Sequence, residues 1–138
     1  MEPLKWSDKL SVGIDEIDLQ HKKWLAIVNE LFDGVKNQKG NRFIGDIINR
    51  LFDYAKIHFA LEEKYMTAFS YEGLAEHRKE HELLIKRLTE INGKFDPNIQ
   101  DNSRVTYELI DVINEWLQHH LMYIDMKYVP TFRKHGLN

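Results

Sequence analysis

The chain has 138 residues, of which 43% are hydrophobic and 30% are charged, as is usual for one globular domain with a single core. Its net charge of -3, without any block of basic residues, argues against a nucleic-acid-binding surface or an anionic membrane partner. The absence of cysteine excludes disulfides, thiolate zinc sites, iron–sulfur clusters and cysteine nucleophiles. The sequence shows neither an apolar signal segment at its start nor a membrane-spanning stretch, so we expect a cytoplasmic location.

The predicted elements are an N-terminal arm and four helices. Residues 1–17 contain Pro3, Gly13 and scattered apolar residues, which predicts an arm that packs across the body of the protein. The first helix is expected to begin near Asp18, capped by Asp15 or Asp18, and the fourth is expected to stop at Pro130. The four helices are predicted over about residues 18–36, 42–69, 74–92 and 104–128.

Each predicted helix has apolar residues at steps of three and four, which places them on one face. No segment alternates with period two for long enough to suggest a strand. Most of the connections are short, and short connections favour antiparallel neighbours. The sequence therefore predicts an all-α fold, an up-down-up-down four-helix bundle with an N-terminal arm, as a single domain over residues 1–138.

All four apolar faces also carry side chains that commonly bind metals. A lone histidine on such a face is more often a hydrogen-bonded core residue, and a lone His-x-x-x-His pair often arises by chance. Here, however, the second and third helices each carry a pair spaced by four residues, and the first and fourth helices add one histidine each. The residues are His21, His58, Glu62, His77, His81 and His120, with Asp125 a turn and a half beyond the last. This coincidence predicts a metal site inside the bundle.

The two remaining histidines fit this pattern less well. His119 points about 100° around the helix from His120, so we expect a surface residue or a support for a ligand. His135 follows Pro130 in the tail, where we expect it to be solvated.

Seven candidate ligands exceed the four of a tetrahedral zinc ion and suit two metal ions with carboxylates between them. Imidazole-rich sites without thiolates favour iron, with manganese or zinc as weaker alternatives. Five imidazoles, two bridging carboxylates and a bridging oxo or hydroxo group leave about one of about twelve coordination positions open. One open position suits a reversible diatomic binder better than an oxygenase. The Glu-x-x-His pairs of ferritin-like sites and the His-Glu-x-x-His pattern of zinc proteases are both absent.

Four segments together resemble the hemerythrin family, specifically its stand-alone prokaryotic type, the bacteriohemerythrins. They are VGIDEIDLQHK at residues 12–22, HFALEEKYM at 58–66, HRKEH at 77–81, and WLQHH at 116–120 with Asp125 to Tyr128. The resemblance covers nearly the whole chain.

The resemblance implies two non-haem iron ions bridged by an oxo or hydroxo group and two carboxylates. It implies that His77, His81 and His120 bind one iron, that His21 and His58 bind the other, which takes up oxygen, and that Glu62 and Asp125 bridge them. It also selects His120 rather than His119. Periodicity alone would not select Asp125, which on an α-helix lies about 140° around from His120.

The resemblance further implies an oxygen pocket lined by Phe59, Trp116 and Leu117. A dry pocket would exclude water and anions that promote oxidation of the iron. For Trp116, ordinary core packing is at least as good an interpretation. Trp24 departs from the family, which more often has a smaller aliphatic residue there, so we expect it to narrow the pocket or its access route.

The favoured function is reversible dioxygen binding for carriage, storage, delivery or sensing, by a binding protein that is not an enzyme. Nitric oxide and small anions are further expected ligands, and the sequence names no protein partner. One alternative is a sensor domain in which oxygen or nitric oxide binding alters a surface, although no signalling domain is attached in this chain. The other is a di-iron redox enzyme, peroxidase-like or nitric-oxide-reducing, which the ligand count disfavours.

Overall fold

The computed structural model describes residues 4–138, so Pro3 of the predicted arm lies outside the described residues. The α-helices in this range are α1 Asp15–Lys36, α2 Asn41–Ala68, α3 Leu74–Asn92, α4 Ser103–His119 and α5 Val129–Lys134. Each of the four long helices packs on the next, and α1 also packs on α4. The predicted all-α four-helix bundle is confirmed, with no strand among residues 4–138. No helix in this range is long and apolar enough to cross a lipid bilayer.

The first helix begins at Asp15, three residues before the predicted start, and no side chain caps it. Acidic residues in its first turn are favourable because they oppose the positive end of the helix dipole. Asp18 has a different role from the predicted cap. Its carboxylate accepts hydrogen bonds from the backbone N–H of Val12 at 2.9 Å and from the hydroxyl of Ser11 at 2.5 Å. Asp18 therefore fixes the arm against the start of α1.

The arm also contacts the C-terminal helix α5. Gly13 has φ +73°, and its carbonyl accepts a hydrogen bond from Nη2 of Arg133 at 3.3 Å. A side chain at position 13 would be strained by this backbone conformation and would displace the guanidinium group of Arg133. Val12 and Ile14, on either side, are fully buried. The glycine thus lets the arm turn while both neighbours enter the protein interior.

Two apolar clusters fill the bundle. The main core lies mostly in α1–α4 and includes Trp24, Val28, Leu31, Ile48, Leu51, Phe59, Leu88, Ile110, Ile113 and Leu117. The end cluster consists of Val12, Ile14, Ile17, Met66, Tyr128, Val129 and Phe132. Along α1, Ile17 of the end cluster precedes His21 and Trp24 of the main core follows it. Polar residues therefore lie between two apolar clusters, at one end of the bundle.

The helical structure beyond α4 differs from the prediction. A π turn over His120–Ile124 follows α4, and a 3-10 turn over Asp125–Tyr128 follows that. The backbone N–H of Asp125 bonds to the carbonyl of His120, five residues earlier, as in a π-helix. Pro130 does not end the helical structure as predicted, because it lies in the first turn of α5. There its missing N–H needs no partner.

Candidate metal centre

Seven polar side chains meet between the main core and the end cluster. None exposes more than 3% of its surface. They are the seven residues predicted from the sequence: His21, His58, Glu62, His77, His81, His120 and Asp125. Burying so many ionisable groups is costly unless they are paired or bind a cation.

The nitrogen and oxygen atoms of these residues form two overlapping groups. The three-histidine group is Glu62, His77, His81, His120 and Asp125, and the two-histidine group is His21, His58, Glu62 and Asp125. Within each group the ligand atoms lie within 4.8 Å of one another. Each group could hold one cation, and the same two carboxylates belong to both.

Asp125 directs one carboxylate oxygen toward each group. Oδ2 lies 3.3 Å from Nε2 of His21, whereas Oδ1 lies 3.0 Å from Nε2 of His77 and 2.8 Å from Nε2 of His120. The π turn explains how this is possible. A regular α-helix would rotate Asp125 away from His120, but the wider turn accommodates an extra residue and returns the carboxylate to the interior.

Glu62 also contacts histidines of both groups. Its Oε1 atom lies 3.0 Å from Nε2 of His58, one turn earlier on α2, and 3.5 Å from Nε2 of His81 on α3. Its Oε2 atom lies 3.9 Å from Nε2 of His77. Glu62 on α2 and Asp125 after α4 therefore each contact histidines of both groups.

The buried polar atoms have few partners among the described residues. Apart from the close contacts with one another given above, both oxygens of Glu62, both oxygens of Asp125 and Nε2 of His81 have no hydrogen-bond partner. The Nε2 atoms of His77 and His120 face each other at 3.1 Å. An unpaired buried polar atom costs about 1–3 kcal/mol, and cations between these atoms would remove that cost. Imidazole nitrogens and carboxylate oxygens without thiolates fit iron, manganese or zinc.

The environment sets the charge of these groups. Burial opposes ionisation of Asp125, but contacts with His120, His21 and His77 hold its pKa well below the ordinary value. Burial lowers the pKa of His58 despite the opposing charge of Glu62. Ionised carboxylates and neutral imidazoles are the forms that bind metal ions. The shifts of Asp125 and His58 thus favour the forms that bind a metal, whereas the pKa of His81 is raised by Glu62 and Glu63 although burial opposes this.

Two polar residues that were not selected from the sequence contact the Nδ1 atoms of two site histidines. Oε1 of Gln20 lies 2.7 Å from Nδ1 of His58, and Oε2 of Glu63 lies 3.1 Å from Nδ1 of His81. Arg78 donates to Glu63 at 2.8 Å. Such partners orient the ring and its lone pair. Their only sequence signal is adjacency to predicted ligands, since Gln20 precedes a histidine and Glu63 follows a glutamate.

Aromatic rings surround the polar groups on the main-core side. Of the predicted pocket residues, Trp24, Phe59 and Leu117 are buried and Trp116 is half-buried. The ring centroids are 3.8 Å apart for Phe59 and His81, 4.0 Å for Trp116 and His120, and 5.8 Å for Trp24 and His58. Leu117 belongs to the main core without a ring contact of this kind.

On the end-cluster side, the ring of Tyr128 lies 5.5 Å from that of His77. Tyr128 is fully buried, and burial, followed by the charges of Asp125 and Glu62, raises its pKa well above the ordinary value. The sequence reasoning gave it no role. The other two histidines are exposed: His119 lies beside Tyr123, and His135 stacks on Phe69 at 4.6 Å.

Comparison with known proteins agrees with this geometry. The family model described as the Hemerythrin HHE cation binding domain matches residues 12–132. The chain belongs to the hemerythrin family. It is 36% identical over 133 residues to a bacteriohemerythrin of Pseudomonas aeruginosa, covering 96% of this chain and 84% of that protein. It is 33% identical over 128 residues to a bacteriohemerythrin of Clostridium acetobutylicum, covering 90% and 97% respectively.

A solved structure supports the same relationship. The crystal structure of a wild-type hemerythrin matches with a TM-score of 0.78 and 29% sequence identity, covering 93% of this chain and 96% of that chain. The family resemblance seen in the sequence motifs is therefore confirmed. The cation-binding description of the hemerythrin domain also agrees with the two groups of buried ligand-type atoms.

Proposed function

We propose that this hemerythrin-family chain binds dioxygen reversibly at two iron ions. The observation that carries the proposal is the position of Asp125, which directs one oxygen toward each group of histidines. A carboxylate so placed suits two cations held side by side. Iron rather than zinc is favoured because the donor set is rich in imidazole, contains no thiolate and exceeds the four ligands of a zinc ion.

The unequal composition of the two groups supports a distinct role for each ion. The three-histidine group offers five residues and the two-histidine group offers four, with the two carboxylates counted in both. The ion held by His21 and His58 would have fewer protein ligands and more room for an external ligand. We infer that dioxygen, and by the same argument nitric oxide or a small anion, binds on this side.

The residues of the chain would position the metals and keep the site dry. Glu62 and Asp125 would bridge the ions, while Gln20 and Glu63 would hold two histidine rings in orientation. When bound, the iron pair supplies the electrons that dioxygen accepts. Aromatic rings on the main-core side would exclude water, which otherwise promotes irreversible oxidation.

In this proposal the chain is a binding protein and not an enzyme, and it serves the carriage, storage, delivery or sensing of dioxygen. The proposed domain spans the chain, of which residues 12–132 match the family. A cytoplasmic location stays a prediction.

The test is whether oxygen binding is reversible, as monitored by visible spectroscopy. Protein reduced under anaerobic conditions is exposed to air, and the oxygen is then removed. The proposal expects an absorption band that appears in air and fades on removal, over repeated cycles. A protein that oxidises at once and does not return to its first spectrum contradicts reversible binding.

A further inference from the structure

Trp24 has a buried hydrogen-bond donor without a partner. The side chain exposes 1% of its surface, and its indole Nε1 makes no hydrogen bond within residues 4–138. An indole N–H buried in this way loses its hydration, and this destabilises the fold unless an acceptor replaces the water. Buried tryptophans usually place this N–H against an acceptor. The position is one turn after His21 on α1.

Metal ions cannot supply the missing partner. Most of the other unpaired buried atoms of the site are imidazole nitrogens or carboxylate oxygens, which can bind a cation. The indole Nε1 is a donor only, and a cation would repel it. What pairs with Trp24 must therefore bring an acceptor atom.

The neighbouring rings show which part of the site Trp24 borders. The Trp24 ring is 5.8 Å from the ring of His58, and so borders the two-histidine group, which has fewer protein ligands. It is also 5.4 Å from the ring of Phe59 and 6.0 Å from that of Trp116. Neither of these side chains has a nitrogen or oxygen atom that accepts a hydrogen bond, and the face of an aromatic ring is only a weak acceptor.

We propose that the indole N–H of Trp24 donates a hydrogen bond to a small ligand held at the two-histidine group. This inference rests on the proposed function, and it adds a preference that an apolar pocket would lack. The ligand class is a small molecule or anion whose outer atom accepts a hydrogen bond, with azide as the probe. Trp24 is then a specificity-determining residue. It strengthens the binding of ligands that have a hydrogen-bond acceptor relative to ligands that have none.

The first experiment compares azide binding to the diferric protein in three forms: the original chain, Trp24→Phe and Trp6→Phe. Trp24→Phe keeps an aromatic ring and removes the N–H. Trp6→Phe makes the same chemical change on the arm, where Trp6 lies under the ammonium group of Lys22, 5.0 Å from the ring centroid. We expect the azide Kd to rise about tenfold in Trp24→Phe, as for loss of one hydrogen bond to an anion, and to stay unchanged in Trp6→Phe.

The second experiment leaves Trp24 unchanged, so it does not depend on whether a Trp24 variant folds. In protein labelled with 15N at the indole nitrogens, the chain gives three indole signals, from Trp6, Trp24 and Trp116. Trp6→Phe and Trp116→Phe each remove one signal and so assign the third to Trp24. We expect azide to shift the Trp24 signal and slow its hydrogen exchange, with the Trp6 signal unaffected.

The outcomes separate this inference from the function on which it rests. Failure of the original protein to bind iron or azide overturns both. Azide binding with an unchanged Kd in Trp24→Phe and an unmoved Trp24 signal overturns the hydrogen bond alone. A raised Kd together with a shifted, protected indole signal supports it.

Discussion

Asp125 reaches His21 across the bundle, with 3.3 Å between Oδ2 and Nε2, although the two residues are far apart in the sequence. Its other oxygen lies 2.8 Å from His120. Both groups of ligand-type atoms therefore share this carboxylate, as they share that of Glu62, while each histidine belongs to one group.

The shared position of Asp125 predicts unequal effects of single substitutions on metal content. Asp125→Asn removes the charge that both ions share, so we expect iron per chain to fall at both positions. His21→Gln removes a ligand of the two-histidine group alone, and we expect about one metal ion to remain. Elemental analysis after gel filtration measures both. Asp111→Asn, an exposed change on α4, is the matched control. Equal metal loss in the Asp125 and His21 variants would contradict the shared role.

The π turn after α4 predicts the result of a single-residue deletion. Removing the exposed Tyr123 leaves four residues where the π turn has five, and on a regular α-helix the carboxylate would then lie only about 40° around from His120, on the same face. We therefore expect the deletion to keep metal binding. Inserting an alanine after Tyr123 would instead turn the carboxylate about 240° around an α-helix from His120, and we expect it to abolish binding of both metals while the helical circular dichroism signal is largely kept. Tyr123→Ala, which keeps the chain length, should bind metal normally. Full metal binding by the insertion variant would contradict a role of the π turn in aiming Asp125.

Helix periodicity explains why most residues of the candidate site could be selected from the sequence. His58, Glu62, His77 and His81 follow steps of four on regular α-helices, and the structure brings them together. Asp125 breaks that periodicity, because a π turn has no simple pattern in a single sequence. Only the family resemblance selected it.

The support of His58 by Gln20 predicts weaker metal binding when it is removed. Gln20→Leu leaves Nδ1 of His58 without its acceptor at 2.7 Å, so the ring loses its orientation. Loss of such a partner typically lowers metal affinity about 10–100-fold. Competition with a chelator measures the change. Gln118→Leu, the same substitution on the exposed face of α4, should have no effect. Equal affinities for the two variants would contradict a role for Gln20.

The arm predicts a stability difference between two glycine substitutions. Gly13→Ala forces an alanine into φ +73° and against Arg133, which should lower the free energy of unfolding by about 1–3 kcal/mol. Gly45→Ala, inside α2 with open space around it, should raise it by about 0.5–1 kcal/mol. Urea unfolding of metal-loaded protein measures both. A Gly13→Ala variant as stable as the original would show that the arm adapts.

The arm and the C-terminal end were the parts least accessible to sequence reasoning. Asp18 is of a residue type that commonly caps helices. The hydrogen bonds that it accepts, however, come from arm residues, and no local sequence pattern predicts that the arm packs there. Pro130 predicts the end of a helix, but it lies at the start of α5 because π and 3-10 turns precede it. Both errors arise where tertiary contacts override local preference.

The di-iron centre is tested most directly by the metal content of protein expressed in iron-supplemented medium and purified without added metal. Iron, zinc and manganese are counted per chain by elemental analysis. We expect about two iron ions per chain and little zinc or manganese. A single zinc ion per chain, or no metal bound, would contradict the di-iron centre and with it the proposed binding of dioxygen.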